Sequence, residues 1–318
     1  MPDLIRILAD GALRSGEDIG RELGITRAAV WKRIQNIQRK AGYEIESIPG
    51  RGYRLAQPLE LLDIGRLQKI VGPTYNLCLL DSVDSTNEHA KRLVKEGSKV
   101  NLVVSEEQAY GRGRRGRQWL SPYGCNLYLS LVWPVTEGMR QLEGLSLAVG
   151  LAVLRAITAF GVEKAGLKWP NDVLVGKEKI AGILLELVGD LADQSSVIIG
   201  IGINVNMQKT TLEIGQPWTS VSQCIGASAS RHEVLNALLL ELGSILKLQA
   251  KHGFSALRRE WESKHLWQGL SVTLSSVGAS IEGRITGIND RGELGIATQQ
   301  GVEYFAGGEL TLRLSDDS

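Results

Sequence analysis

Hydrophobic periodicity changes character twice along these 318 residues, and the changes divide the chain into three blocks. In residues 1–60 the spacing is helical. Leu4, Ile5 and Leu8 share one face, and Glu17 to Leu23 predicts a second short helix that Gly24 ends. Thr26 is a suitable N-cap for a third helix over Arg27 to Lys40, closed by Gly42. Val30, Ile34, Ile37 and Ala41 form the core face of that helix, while Ala28, Lys32, Gln35 and Arg39 face the other way. Residues 26–40 hold five cations and no anion. Tyr43 to Ile48 then alternates like a strand, Pro49 to Gly52 reads as a turn, and Tyr53 to Leu55 as a second short strand. Gln57-Pro58 opens a linker.

From residue 66 to 268 strands and helices alternate. Strands are expected at 76–81, 101–106, 125–133, 167–175, 180–188 and 196–205, and helices at 85–96, 140–160, 231–252 and 254–264. That mixture predicts an α+β domain on a largely antiparallel sheet. Residues 269–318 carry short β-rich runs separated by turns such as Asn289 to Gly292, which predicts a small β-barrel. Apolar residues make up 43% of the chain, enough for real cores. The formal net charge is only +1, so a basic site must be a local patch. Cys78, Cys125 and Cys224 are scattered and lack metal-ligand spacing, which argues for reduced thiols, no zinc and no protein-held metal. Asp3 and Arg6 sit where a signal peptide is apolar, and the longest apolar run, Leu145 to Leu154, is too short to span a bilayer. A cytoplasmic protein with no membrane partner is expected.

The most unusual segment is GRGRRGR at 111–117, and no acidic residue occurs from Gln108 to Thr136. Glycines let backbone approach a ligand, and arginines offer forked donors suited to phosphate. The plain alternative is a solvated basic loop or a nucleic-acid contact. No Walker-type loop and no strand-to-helix dinucleotide fingerprint is present. Lys168-Trp-Pro-Asn-Asp172 leads through a turn at 176–178 to Lys179-Ile-Ala-Gly182, a hairpin that should bring Asp172 near Lys179. That pair reads either as a carboxylate and phosphate clamp or as an ordinary cross-strand ion pair. Gly182 within a strand signals close approach of something to the backbone. Asp84-Ser-Thr-Asn87 precedes a helix; Ser85 with Glu88 would make a capping box, and the group also offers neutral donors and acceptors for an amide- or urea-like ligand. Ile199 to Asn206 reads as a buried strand with glycines, with a ligand contact through Asn204 as a further expectation.

Together these segments resemble the bifunctional biotin protein ligases that double as repressors of the biotin operon. The residues Asp84 to Asn87, Gln108, GRGRRGR, KWPND at 168–172, KIAG at 179–182, GIGINVN at 200–206 and Gly307 to Leu310 follow the family's order and spacing. The resemblance covers nearly the whole chain. It implies a winged helix-turn-helix over 1–60, a catalytic domain over 66–268 and a C-terminal SH3-like β-barrel over 269–318. It implies that Ser85, Thr86, Asn87 and Gln108 hold biotin's ureido end. Arg112, Gly113, Arg114 and Lys179 would then meet the biotin carboxylate. Arg112, Arg115, Arg117, Trp119, Lys168, Asn171 and Asn204 would surround ATP or the adenylate. Lys179, Arg114 and Asp172 are the expected catalytic residues, with Lys179 rather than Lys168 at the family's key lysine.

The implied chemistry uses ATP and Mg²⁺ to convert biotin to biotinyl-5'-AMP, and the partner is the biotin carboxyl carrier protein. Charge develops on phosphate oxygens, so cations should carry the first step. Asp172 is expected to steer or deprotonate the acceptor lysine. The arginine loop is expected to be disordered until it folds over the adenylate. Thr26, Arg27, Ala28, Lys32, Gln35 and Arg39 are candidate operator contacts, with Arg51 on the wing, and a homodimer on two-fold operator DNA is expected. Two other readings stay open: a transcription factor that senses biotin without ligase activity, and a lipoate or octanoate transferase.

Overall fold

In the computed structural model of the chain, residues 2–41, 43–136, 138–189, 195–208, 214–276, 279–308 and 310–315 are described. The N-terminal block has helices α1 (Pro2–Leu8), α2 (Gly16–Leu23) and α3 (Arg27–Ala41), then strands β1 (Ile45–Ile48) and β2 (Gly52–Leu55). Each boundary has a local cause. Ser15 caps α2 by accepting from the Asp18 amide, and Gly24 ends it in the left-handed region at φ 65°. Thr26 Oγ1 accepts from the Ala29 amide at 3.2 Å and starts α3. Gly42, the expected stop, lies outside the described residues. Gly52 sits at φ 130° with the Arg14 carbonyl where a β carbon would stand, so the wing closes against the strand-like residue Arg14 only if position 52 is glycine.

The linker is not extended throughout. Asp63 caps an unforeseen helix α4 (Ile64–Val71), accepting from the Arg66 amide at 2.7 Å. The central block follows with β3 (Leu77–Leu80), α5 (Thr86–Lys95), β4 (Leu102–Ser105), β5 (Leu127–Val135), α6 (Leu145–Thr158), β6 (Ala165–Lys168), β7 (Asp172–Val175), β8 (Glu178–Val188), β9 (Ser195–Ile203), α7 (Val221–Ile225), α8 (Arg231–His252) and α9 (Ser255–Ser263). Its seven strands run in the order β3-β4-β5-β9-β8-β7-β6, antiparallel except for the β3–β4 pair. The expected single strand over 167–175 is two strands, β6 and β7. Pro170 cannot donate to a ladder, and the chain reverses there. The helix expected over 140–160 is a 3₁₀ turn at Gly138–Leu142 followed by α6, separated by Gly144 in the left-handed region. The stretch Arg140–Thr158 is the described helix with the length and apolarity of a membrane span, but 67% of its window is buried inside the fold, as suits a core helix.

Side-chain alternation gives the sheet two different faces. One carries Leu102, Val104, Leu129, Ile183, Ile199 and Ile201 under α6 and α8. The other carries Val103, Val188 and Ile198 under α5. The C-terminal block, β10 (Ser271–Ser276), β11 (Ala279–Ile288), β12 (Leu294–Thr298), β13 (Gly301–Phe305) and β14 (Thr311–Leu314), is antiparallel in the order β13-β12-β11-β10-β14. Its buried residues Val272, Leu274, Ile285 and Ile296 join the core under α6, and Trp169 Nε1 donates to the Gly292 carbonyl at 3.1 Å.

The N-terminal block is fastened from two sides. Tyr123, from the segment after the arginine loop, lies in the core formed by Leu4, Leu8, Val30, Ile34 and Ile37. Its hydroxyl donates to Asp81 Oδ1 at 2.6 Å, and Arg6 pairs with the same oxygen at 2.6 Å. On the linker side, Arg231 is fully buried and pairs with buried Glu106 at 2.7 Å, while Glu106 also accepts from the Leu62 amide. Arg231 donates further to the carbonyls of Asn126 and Glu60, each at 2.9 Å. Removing one member of such a pair leaves a buried charge uncompensated. Arg231→Ala should therefore lower the unfolding free energy by about 3–5 kcal/mol in a urea titration. A loss below about 1 kcal/mol would show that Glu106 is stabilised by something other than Arg231.

Candidate functional site

The face of the sheet under α5 ends in a cavity of about 800 Å³. Its near end is neutral and hydrogen-bonded. The Thr86 amide and hydroxyl both donate to Gln108 Oε1, at 2.9 and 3.1 Å, and Gln108 Nε2 donates to Ser121 Oγ at 3.0 Å. Ser130 Oγ lies 2.8 Å from Thr86 Oγ1 and 2.6 Å from Asn87 Oδ1. Ser85, Thr86 and Asn87 are all buried. Ser85 occupies the N-cap position of α5 but makes no side-chain cap bond, so the capping box is not formed. Glu88 pairs instead with Lys91 at 2.9 Å and with Arg112.

The glycines of β8 and β9 are explained by what lies on them. A β carbon on Gly202 would stand 2.6 Å from Trp119 Cε2, and one on Gly182 would stand 3.1 Å from Lys179 Cε and 3.2 Å from Trp119 Cζ3. One on Gly200 would collide with Asn87 Oδ1. Gly200 and Gly202 are two apart on one strand and face the same side, so the sheet is bared where Asn87 and the Trp119 indole come down on it. Trp119 Nε1 is buried with no hydrogen-bond partner among the described residues.

The far end is cationic. Arg114, Arg115, Arg117, Lys168, Lys179 and Arg313 line it, with Asp172 as the carboxylate among the described wall residues. Lys179 Nζ pairs with Asp172 Oδ1 at 2.6 Å and stands 5.3 Å from the Trp119 ring centroid. Their backbones are not opposite each other: Asp172 pairs with Gly182, and a register shift between Val173 and Leu174 brings the side chains together. Lys168 Nζ sits 4.1 Å over the Trp267 ring. Burial lowers the Lys168 and Arg114 pKa values, and Asp172 pulls each partly back.

The arginine loop has a fixed course. It turns through Arg114–Gly116, with Arg115 in the left-handed region at φ 59°. Arg114 donates to Asn171 Oδ1 at 3.1 Å and to the carbonyls of Gly307 and Gly308, and Arg115 donates to Thr311. Four hydrogen bonds from three guanidinium nitrogens tie the loop to Asn171 and to residues 307–311. Arg112 lines the cavity but pairs apart from its cationic end. Its guanidinium turns to Glu88 and, at 2.9 Å, to Glu186, away from the Lys179 end. A correction concerns Asn204, which does not line the cavity. It is buried, and its amide donates to the carbonyls of Thr219 at 3.0 Å and Lys179 at 3.4 Å, holding the β8 entry. The other expected ligand residues, Ser85, Thr86, Asn87, Gln108, Arg112, Gly113, Arg114, Arg115, Arg117, Trp119, Lys168, Asn171, Asp172 and Lys179, share this one cavity. Ser130, Glu186 and Trp267 escaped the sequence reading. Ser130 and Glu186 are isolated polar residues in apolar strands, which is a signal of buried hydrogen bonding.

In the N-terminal block Thr26, Arg27, Ala28, Lys32 and Gln35 are exposed on one side of α3, and Arg51 is exposed at the wing turn. The side chain of Arg39 lies outside the described residues. Trp31, 52% exposed on the same side, was not anticipated.

Residues 79–204 match the biotin/lipoate A/B protein ligase family, and residues 3–54 match a helix-turn-helix domain. The bifunctional ligase/repressor BirA of Salmonella typhimurium is 35% identical over 314 residues, covering 98% of this chain and 97% of that protein. The Bacillus subtilis protein of the same description is 32% identical, covering 98% of each chain. Among solved structures, biotin protein ligase from Aquifex aeolicus in complex with biotin and ATP superposes with a TM-score of 0.66 at 34% identity, over 76% of this chain and 99% of that one.

The seating of Trp119 is open to a direct check. Gly202→Ala places a methyl against the indole and should cost about 1–3 kcal/mol of stability, as overpacking does. In a Trp119→Ala background the same substitution should cost almost nothing. Equal costs in both backgrounds would show that the indole does not rest on Gly202.

Proposed function

Since the chain belongs to the family of biotin protein ligases of the bifunctional ligase/repressor type, we propose that its cavity makes biotinyl-5'-AMP and hands biotin to a lysine of the biotin carboxyl carrier protein. The supporting observation is the cavity's division into a neutral, donor-and-acceptor end and a cationic end. A urea-like ring suits the first, since Ser, Thr, Asn and Gln supply both hydrogen-bond roles without charge. Phosphates suit the second, where clustered cations, half-buried at Arg114, Lys168 and Lys179 and exposed at Arg115, Arg117 and Arg313, repel one another until an anion enters.

In the first step the biotin carboxylate oxygen attacks the α-phosphorus of ATP, the bond to the bridging oxygen breaks, and pyrophosphate leaves. Arg114, Arg115, Arg117, Lys168 and Lys179 are the cationic donors around the charge that develops. Mg²⁺ enters with ATP as part of the substrate: it commonly binds through one or two carboxylates plus phosphates, and Asp172 is the wall carboxylate available to it. Trp119 covers the adenylate, and the arginine loop excludes water from the anhydride. In the second step the acceptor amine attacks the anhydride carbonyl and AMP leaves. An acceptor ammonium must first lose a proton, since lysine has a pKa near 10.4. Asp172 takes that part once Lys179 turns from it to the phosphate.

The N-terminal block serves as an operator-binding domain, with α3 in the major groove and Arg51 near the backbone. Two copies, joined along their central sheets, would match a two-fold operator. The working units in this reading are 1–60, 66–268 and 269–318, and the protein acts in the cytoplasm.

Incubation with biotin, MgATP and a carrier domain, read by intact mass, should show one biotinyl group on the carrier. No mass gain, together with no biotin-dependent exchange of pyrophosphate into ATP, would reject the ligase reading. Asp172→Asn should slow transfer by about 10²-fold, a typical general-base effect, while slowing adenylation far less. Equal loss in both half-reactions would remove Asp172 from the transfer step. Arg114→Gly unties the loop from Asn171, Gly307 and Gly308, and should release adenylate that labels bystander lysines. A variant that retains its adenylate as long as wild type would contradict the closure.

A further inference from the structure

We propose that Glu186, which does not line the cavity, is the positioning residue for its neutral end: it fixes which way the Asn87 amide points. The inference rests on the reading that Asn87 meets biotin's ureido group.

Glu186 lies on β8, on the same face as Gly182 and Leu184, two residues beyond the cavity wall. There it joins β8 to two other pieces of chain. Asn87 Nδ2 donates to Glu186 Oε2 at 2.8 Å, Lys91 Nζ donates to Oε1 at 2.6 Å, and Arg112 Nη2 reaches both oxygens, at 3.0 and 2.9 Å. Asn87 and Lys91 belong to α5, and Arg112 to the loop. Glu88 completes a quartet of two carboxylates and two cations. The quartet is locally neutral, which accounts for Arg112 being withdrawn from the phosphate end.

Chemistry then settles the amide orientation. An ionised carboxylate only accepts hydrogen bonds, so Asn87 must present its nitrogen to Glu186. Its oxygen is left to face Ser130 and the bare backbone of Gly200. An amide turned the other way would set oxygen against carboxylate. Glu186 is ionised at neutral pH: burial alone would raise its pKa, but the hydrogen bonds from Lys91 and Asn87 and the charge of Arg112 hold it below the usual carboxylate value. Glu186 therefore selects an acceptor oxygen, rather than a donor, for the ureido N–H groups.

Glu186→Gln keeps the volume and removes the charge. Its amide brings a donor among donors and removes the charged acceptor from the Asn87 nitrogen, leaving only the longer bond to the Leu184 carbonyl at 3.3 Å to oppose a turn. Hydrogen bonds to charged groups contribute enough that biotin Kd should rise about tenfold to a hundredfold. The KM for ATP, bound at the other end, should stay near wild type in the pyrophosphate-exchange assay. In an Asn87→Ala background the same change should no longer affect biotin Kd, because Glu186 acts through Asn87. A general structural role would move both substrates and would persist without Asn87. The proposal is overturned if Glu186→Gln binds biotin as wild type does, if it weakens ATP equally, or if its effect survives the loss of Asn87. Should Glu186→Gln fail to fold, Glu186→Asp withdraws the carboxylate from Asn87 while keeping the charge, and the same three outcomes decide. Wild-type protein that binds no biotin would sink the functional reading itself. Wild type that binds biotin, with Glu186 and Asn87 acting independently, would sink only this inference.

Discussion

Cation crowding around a bare patch of sheet is the constraint on which the site depends. Arg114, Arg115, Arg117, Lys168, Lys179 and Arg313 face one end of a cavity in which Asp172 is the carboxylate on the described wall. Like charges held together destabilise one another when burial limits screening. The fold accommodates them by partial measures. Lys179 leans on Asp172 and lies near Trp119, Lys168 rests on Trp267, and Arg114 spends its donors on Asn171 and two carbonyls. A phosphate answers all of these groups at once, so ligand and protein complete each other electrostatically.

That arrangement depends on the sheet. Without Gly200 and Gly202 on one face of β9, neither Asn87 nor the Trp119 indole could reach the strand backbone, and the cavity would have a different floor. The C-terminal sheet contributes the carbonyls of Gly307 and Gly308 that hold the loop shut, and Trp169 ties that sheet to the hairpin bearing Asp172. On the other side, the segment that follows Trp119 ends in Tyr123, which is buried in the N-terminal core. The residues over the ligand site and the packing of the DNA-binding block therefore belong to one continuous stretch of chain.

Much of this was legible in the sequence because it rests on local rules. The limits of α8 follow from its periodicity, the Asp172–Lys179 meeting from hairpin geometry, and the exposed side of α3 from 3.6-residue spacing. What escaped was set by tertiary partners. The α4 helix hid in a linker although Asp63 signals its start. A stretch that alternates well enough for one strand folds as β6 and β7 because Pro170 interrupts the ladder. Arg112 looked like a phosphate ligand until Glu88 and Glu186, distant in sequence, were found to hold it. Asn204 sat in a glycine-rich run suggestive of a ligand, yet its amide fastens backbone. Ser130 and Glu186 were single polar residues in apolar strands, and only the folded sheet shows what they meet.

The central claim is that one end of the cavity recognises a neutral group and the other an anion. Calorimetric titration can separate the two, using biotinol, in which the carboxylate is replaced by an uncharged alcohol, and a stable adenylate analogue whose anhydride carbonyl is replaced by methylene, each across a range of salt concentrations. The account predicts that biotinol affinity stays nearly flat while analogue affinity falls steadily with salt, as pairing between cations and a phosphate requires. Parallel salt profiles for the two ligands would contradict it.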